Sequence, residues 1–194
     1  VGLCDQRRIA FISDEIYHGL TYETPAASAL QTSANAIVIN SFSKYYCMTG
    51  WRVGWMVVPP DLVRTIERLA QNLFISPPAI SQIAAEAAFD ALGEFDALRK
   101  TYARNRDILS AALARAGLDR HAPADGAFYL YADISQLSND SADFAARLLA
   151  ETGVAATPGV DFDPVNGNAY LRFSYASAAD VVEAAAERIE GWLG

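Results

Sequence analysis

The stretch SFSKYYCMTGWRVGW, Ser41–Trp55, decides how this chain is read. It follows one short apolar run, AIVIN (Ala36–Asn40), and leads into another, GWMVV (Gly54–Val58). Continuous apolar runs of this length, without strict alternation, are expected of strands buried on both faces of an α/β sheet. Lys44 then falls just past the end of a buried strand, where open α/β sheets bind ligands. Arg52 falls in the turn that opens the next strand.

Working outward, RIAFIS (Arg8–Ser13) is a third candidate strand and is followed at once by Asp14 and Tyr17. Downstream, residues 61–73 predict a helix entered through Pro60, with Leu62, Ile66, Leu69 and Leu73 on one face. A second, mostly apolar helix should stop at Gly93, and a long helix over 94–116 should stop at Gly117. A second α/β unit follows: strands over 127–134 and 169–176, a helix over 141–153, and a last helix carrying Val181, Ala185, Ile189 and Trp192 on one side. Ser177 and Asp180 have the spacing of a capping box for that last helix. The expected domains are 1–93 and 94–194, the second entered by the long helix. The fold class is α/β.

Composition narrows the function. A net charge of −8 with no compensating Lys/Arg cluster argues against a nucleic-acid groove or an anionic membrane surface. No apolar run approaches the ~20 residues of a membrane span. Cys4 and Cys47 have neither CxxC nor metal spacing, which suits a reducing compartment, and Cys47 is expected to be a small buried hydrophobe. His18 and His121 form no metal pattern. Trp51 and Trp55 are expected to pack the turn around Arg52 against the core.

Taken singly, Asp14, Tyr17, Lys44 and Arg52 each have a plain structural role: turn cap, core aromatic, solvated lysine, edge ion pair. Together they meet one chemical requirement. A lysine amine forms a Schiff base with an aldehyde cofactor. A carboxylate holds a pyridine nitrogen protonated. Small hydroxyls, Ser41 and Ser43, and a guanidinium suit a phosphate, and Gly50 and Gly54 would let the backbone turn tightly around it.

The run DEIY…SFSK…MTGWRVGW resembles the signature of class I/II aminotransferases, the fold-type-I enzymes that use pyridoxal 5′-phosphate. The resemblance implies that Asp14 meets the ring nitrogen and Tyr17 the ring oxygen. It implies that Lys44 carries the cofactor and shuttles the proton, and that Ser41, Ser43 and Arg52 bind the phosphate. GAFY (Gly126–Tyr129), the turn Pro158–Gly159 and LRFS (Leu171–Ser174) extend it, and Arg172 becomes the residue that grips the substrate carboxylate. Alternation agrees, since Leu171, Phe173 and Tyr175 share one strand face and leave Arg172 and Ser174 on the other.

The fold so implied is the C-terminal part of the large domain, a mainly parallel sheet with helices on both faces, followed by a smaller α/β domain. The implied activity is amino transfer between an L-α-amino acid and a 2-oxo acid in a cytoplasmic homodimer, with no nucleic-acid, membrane or metal partner. Alternatives open at this point are a pyridoxal-phosphate-dependent β-lyase acting on C–S bonds, the cofactor-binding domain of a transcriptional regulator, and an inactive remnant. The chain begins at Val1, where such a fold would already be under way, so a C-terminal portion with exposed strand edges is expected. The choice of substrate side chain is not legible.

Overall fold

The apolar run before Ser41 becomes the middle strand of a three-stranded sheet. The computed structural model describes residues 1–194 and divides into two units, Val1–Ala97 and Leu98–Gly194. In the first unit β1 (Ile12–Asp14) and β3 (Gly54–Val57) flank β2 (Ile37–Ser41). β1 runs parallel to β2, with Asp14 opposite Ile39. β3 runs antiparallel, with Gly54 opposite Ser41. Neighbours on both sides fix the register of β2, and Val38 is buried at its centre.

β1 is shorter than the apolar run over 8–13 predicts. α1 (Gly2–Arg7) takes the preceding residues, and Arg8 closes it in the left-handed region. The ladder nevertheless starts early, because Ile37 N–H donates to the Phe11 carbonyl at 2.9 Å. Ile12 is exposed on this edge, and Met56 and Val57 are exposed on the other.

Helices complete the first unit. α2 (Pro60–Leu73) starts with proline in its first turn, where a missing N–H costs nothing. The apolar face expected of it is only half met: Leu62 and Ile66 are partly covered, while Leu69 and Leu73 lie open. α3 (Ala79–Ala88) passes through a 3₁₀ turn at Phe89–Ala91 into α4 (Leu92–Arg115). Gly93 therefore stops nothing. It lies in the first turn of α4 at an ordinary φ, and the tighter turn before it makes the break.

The second unit is built on the sheet β4–β6–β5, antiparallel throughout, from β4 (Tyr129–Asp133), β5 (Thr157–Pro158) and β6 (Tyr170–Ser174). One face is core: Leu130, Ala132, Leu171 and Phe173 are buried with Leu109 and Leu113 of α4. α5 (Ser141–Thr152) is capped by the Asp140 carboxylate, which accepts from the Ala142 and Asp143 N–H groups. Sequence patterning missed the fully buried Asn105, whose amide donates to the carbonyls of Tyr175 and Ser177 at 3.1 and 2.9 Å. Those bonds anchor α4 to the turn after β6.

α6 (Ala179–Leu193) departs from expectation twice. Its N-cap is Ala178, one residue past Ser177, so no capping box forms, and Asp180 bonds only the adjacent Val181 N–H. Its buried face is Val182, Ala186 and Ile189: Ile189 lies where predicted, the other two stand one residue on from the predicted Val181 and Ala185, and Val181 is 55% exposed. No helix is long and apolar enough to cross a membrane.

Candidate functional site

The loop after β2 owes its shape to an apolar footing. Phe42, Met48 and Val53 are buried with Ala85 and Ala88 of α3, and Tyr46 and Phe95 pack against them. Phe42 faces inward, so its neighbours Ser41 and Ser43 are left only partly covered. The Ser41 hydroxyl accepts from Ser43 N–H at 3.0 Å and stands 2.9 Å from the Ser43 hydroxyl. Thr49 Oγ1 donates to the Ser43 carbonyl at 2.7 Å, and Arg52 Nη1 donates to the Thr49 carbonyl at 2.9 Å. This chain of bonds draws Arg52 back toward the serines across the turn.

Arg52 sits at φ 52, in the left-handed region, and no acid pairs with it. The edge ion pair is therefore absent. Ser41, Ser43 and Arg52 line one hollow of about 560 Å³ with Trp55, Leu69 and Phe74. Gly54 borders it, and a Cβ there would stand 2.6 Å from the Asn40 carbonyl oxygen, so only glycine lets β3 approach β2 this closely. Gly50, by contrast, meets open space at an ordinary φ. Trp55 packs its ring edge on Phe42 at 5.1 Å, as expected, but Trp51 is 43% exposed. Cys47 is exposed rather than buried, because a left-handed φ of 55 turns it off the core.

Lys44 Nζ lies 5.5 Å from the centre of the Tyr17 ring. Asp14 ends β1 and caps the turn that follows, its carboxylate accepting from Ile16 N–H at 3.2 Å. The neighbouring Glu15, which sequence reasoning passed over, is buried at 4% exposure. It accepts from Ala29 N–H at 2.8 Å and from the Ser28 hydroxyl at 3.1 Å, and meets His18 Nδ1 at 3.2 Å. Burial pushes its carboxyl upward, but those donors, Ser13 and the His18 charge together hold it below its ordinary value. Glu15 thus pins the loop that presents Asp14 and Tyr17. Its only sequence signal was a second acid directly after Asp14.

Arg172 lies in the second unit, on the sheet face opposite the core. It is paired across β4 with Tyr131 and across β5 with Thr157. Its guanidinium carbon lies 4.3 Å from the Tyr129 ring centre and 4.0 Å from that of Phe162. No carboxylate pairs with it, whereas Arg104, Arg115, Arg120 and Arg147 each hold one.

The first unit thus gathers strand-end hydroxyls beside Arg52 and a lysine beside a phenol, and the second holds an arginine without an acid partner. The sequence pattern of aminotransferases of class I and II matches residues 1–189, and the chain belongs to that family. The family is pyridoxal-phosphate-dependent. The chain is 51% identical to the valine–pyruvate aminotransferase of Mycobacterium tuberculosis over 98% of its own length and 50% of that protein's. It is 40% identical to the (5-formylfuran-3-yl)methyl phosphate transaminase of Methanocaldococcus jannaschii, over 94% and 49%. Among solved structures, an aminotransferase from Mycobacterium tuberculosis superposes with a TM-score of 0.95 at 50% identity, covering 99% of this chain and 51% of that one. A double mutant of Thermus thermophilus aspartate aminotransferase superposes at 0.88 with 32% identity, covering 98% and 50%. The chain spans about half the length of the curated relatives it matches.

Proposed function

We propose that this protein transfers an amino group between an L-α-amino acid and a 2-oxo acid, using pyridoxal 5′-phosphate held by Lys44. The observation that carries this reading is the pair of hydroxyls, Ser41 and Ser43, 2.9 Å apart in one hollow with an acid-free Arg52. That donor set fits a phosphate: two small hydroxyls and a planar guanidinium supply charge-assisted bonds to several oxygens. Lys44 beside Tyr17 supplies the amine, and Asp14 the carboxylate for a ring nitrogen.

When bound, the cofactor supplies an aldehyde for the amine and an electron-poor ring that eases loss of the substrate α-proton. The chain's residues do the rest. Asp14 holds a proton on the ring nitrogen, and Tyr17 O–H donates to the ring oxygen. Ser41, Ser43 and Arg52 anchor the phosphate. Lys44 Nζ, freed when the substrate amine takes its place, would take the proton from the substrate α-carbon and later return it, as general base and then acid. Arg172 grips the substrate carboxylate, so two half-reactions share one orientation of substrate. We further assign the activity to a cytoplasmic homodimer without nucleic-acid or membrane partner, and the domains to 1–93 and 94–194. The apolar residues exposed on α2 and after it, Leu69, Leu73 and Phe74, support a self-associating surface.

The test is chemical labelling. The chain holds two lysines, Lys44 and Lys100, so the second is an internal control. Incubation with pyridoxal phosphate, borohydride reduction and peptide mapping should place the adduct on Lys44, with Lys44→Ala labelled no more than background. Arg52→Ala should raise the concentration for half-labelling about tenfold. Equal labelling of the two lysines would overturn the assignment.

A further inference from the structure

We propose that Tyr129 and Phe162 form an aromatic clamp that fixes Arg172 as a planar carboxylate receptor, with Phe162 as a positioning residue carried by its own built loop. The proposal deepens the reading of Arg172 given above and rests on it. The ring centres lie 4.3 and 4.0 Å from the guanidinium carbon, within cation–π range. One guanidinium is thus within reach of two rings carried by different elements. Rings stacked on its faces would leave hydrogen bonding to the in-plane N–H edges. Those edges match the two oxygens of a carboxylate. With no acid partner, Arg172 would otherwise be a long side chain free to choose among rotamers. The clamp removes that freedom before the ligand arrives.

Phe162 is 49% exposed. The loop beneath it is closely built. Phe162 and Asp163 N–H groups donate to the Gly159 carbonyl, and Gly167 N–H donates to the Asp163 carbonyl. The Asp163 carboxylate accepts from the N–H groups of Asn166 and Val165, which hold it below its ordinary range. Gly159 and Gly167 pack backbone on backbone, where a Cβ on Gly167 would stand 2.4 Å from Gly159. The loop thus delivers one ring to one face of one arginine. Tyr129 reaches the other side from β4, whose same-face residues stand opposite Ser174 and Arg172.

The test follows the Arg172 Nε–Hε resonance of the ¹⁵N-labelled chain while pyruvate is added, with assignment by Arg172→Lys. In the free protein, Phe162→Leu should move that resonance downfield as the ring current is lost. The same substitution should weaken pyruvate binding at Arg172 about five- to tenfold, and Phe162→Tyr, which keeps a ring, should restore it. Tyr129→Leu should weaken it in the same direction. Undiminished binding in Phe162→Leu, with the pyruvate-dependent shift of Arg172 intact, overturns the clamp and leaves Arg172 as the anchor. Absence of any pyruvate-dependent shift at Arg172 in the unsubstituted chain, or unchanged pyruvate binding in Arg172→Ala, overturns the anchor reading and the clamp with it.

Discussion

Glu15 illustrates how a residue outside the chemistry can decide whether the chemistry is presented. It is buried, and every atom of its carboxylate that faces the loop has a donor. Glu15→Gln keeps the shape but exchanges charge-assisted bonds for weaker ones and puts an amide nitrogen, which cannot accept, in place of one carboxylate oxygen. We expect a loss of about 1–3 kcal/mol at pH 7, read by urea denaturation. Because the folded carboxyl titrates below its ordinary value of 4.5, its stabilisation is fully present above that pH. It is lost as pH falls through the lower, folded value. The gap in stability between parent and Glu15→Gln should therefore shrink below about pH 4.5. A gap independent of pH would mean that the carboxylate charge is not what fastens the loop.

At the scale of elements, strand and helix placement followed from apolar runs and their punctuation, and errors arose where caps and neighbours decide. The SFSK loop stood out in the sequence because Lys44, the serines and Arg52 are residue types able to carry chemistry, and the structure gathers Ser41, Ser43 and Arg52 on one hollow. Glu15, Asn105 and Phe162 were not, since each matters through partners remote in sequence. The capping box at Ser177 failed for a local reason, as the chain turns into α6 one residue later, at an alanine with extended backbone. That vacancy invites repair. Ala178→Ser or Ala178→Asp should stabilise the chain by about 0.5–1 kcal/mol, seen as a raised melting temperature, while Asp140→Ala, which removes a formed cap, should cost about 1 kcal/mol. The loop of Phe162 is less forgiving. Gly167→Ala forces a methyl against the Gly159 backbone and should cost about 2–3 kcal/mol or more in the same assay.

Across the whole molecule, apolar exposure is uneven. Eighteen of the large hydrophobics that lie open belong to the first unit and six to the second. The proposed self-association should therefore run through the first, and Leu69→Glu with Leu73→Glu should lower the mass seen by light scattering, whereas Val181→Glu in the second should not. The backbone adds a quieter asymmetry. Arg8, Cys47, Arg52, Ile75 and Ala127 all hold left-handed φ without being glycine. At such positions glycine relieves strain of about 1–2 kcal/mol, less what its extra freedom returns to the unfolded chain. Arg52→Gly should thus melt no lower than the parent, while labelling of Lys44 by pyridoxal phosphate falls. An engineer who screened this chain for heat resistance alone, with no cofactor in the tube, would keep that substitution as an improvement and discard the proposed phosphate anchor with it.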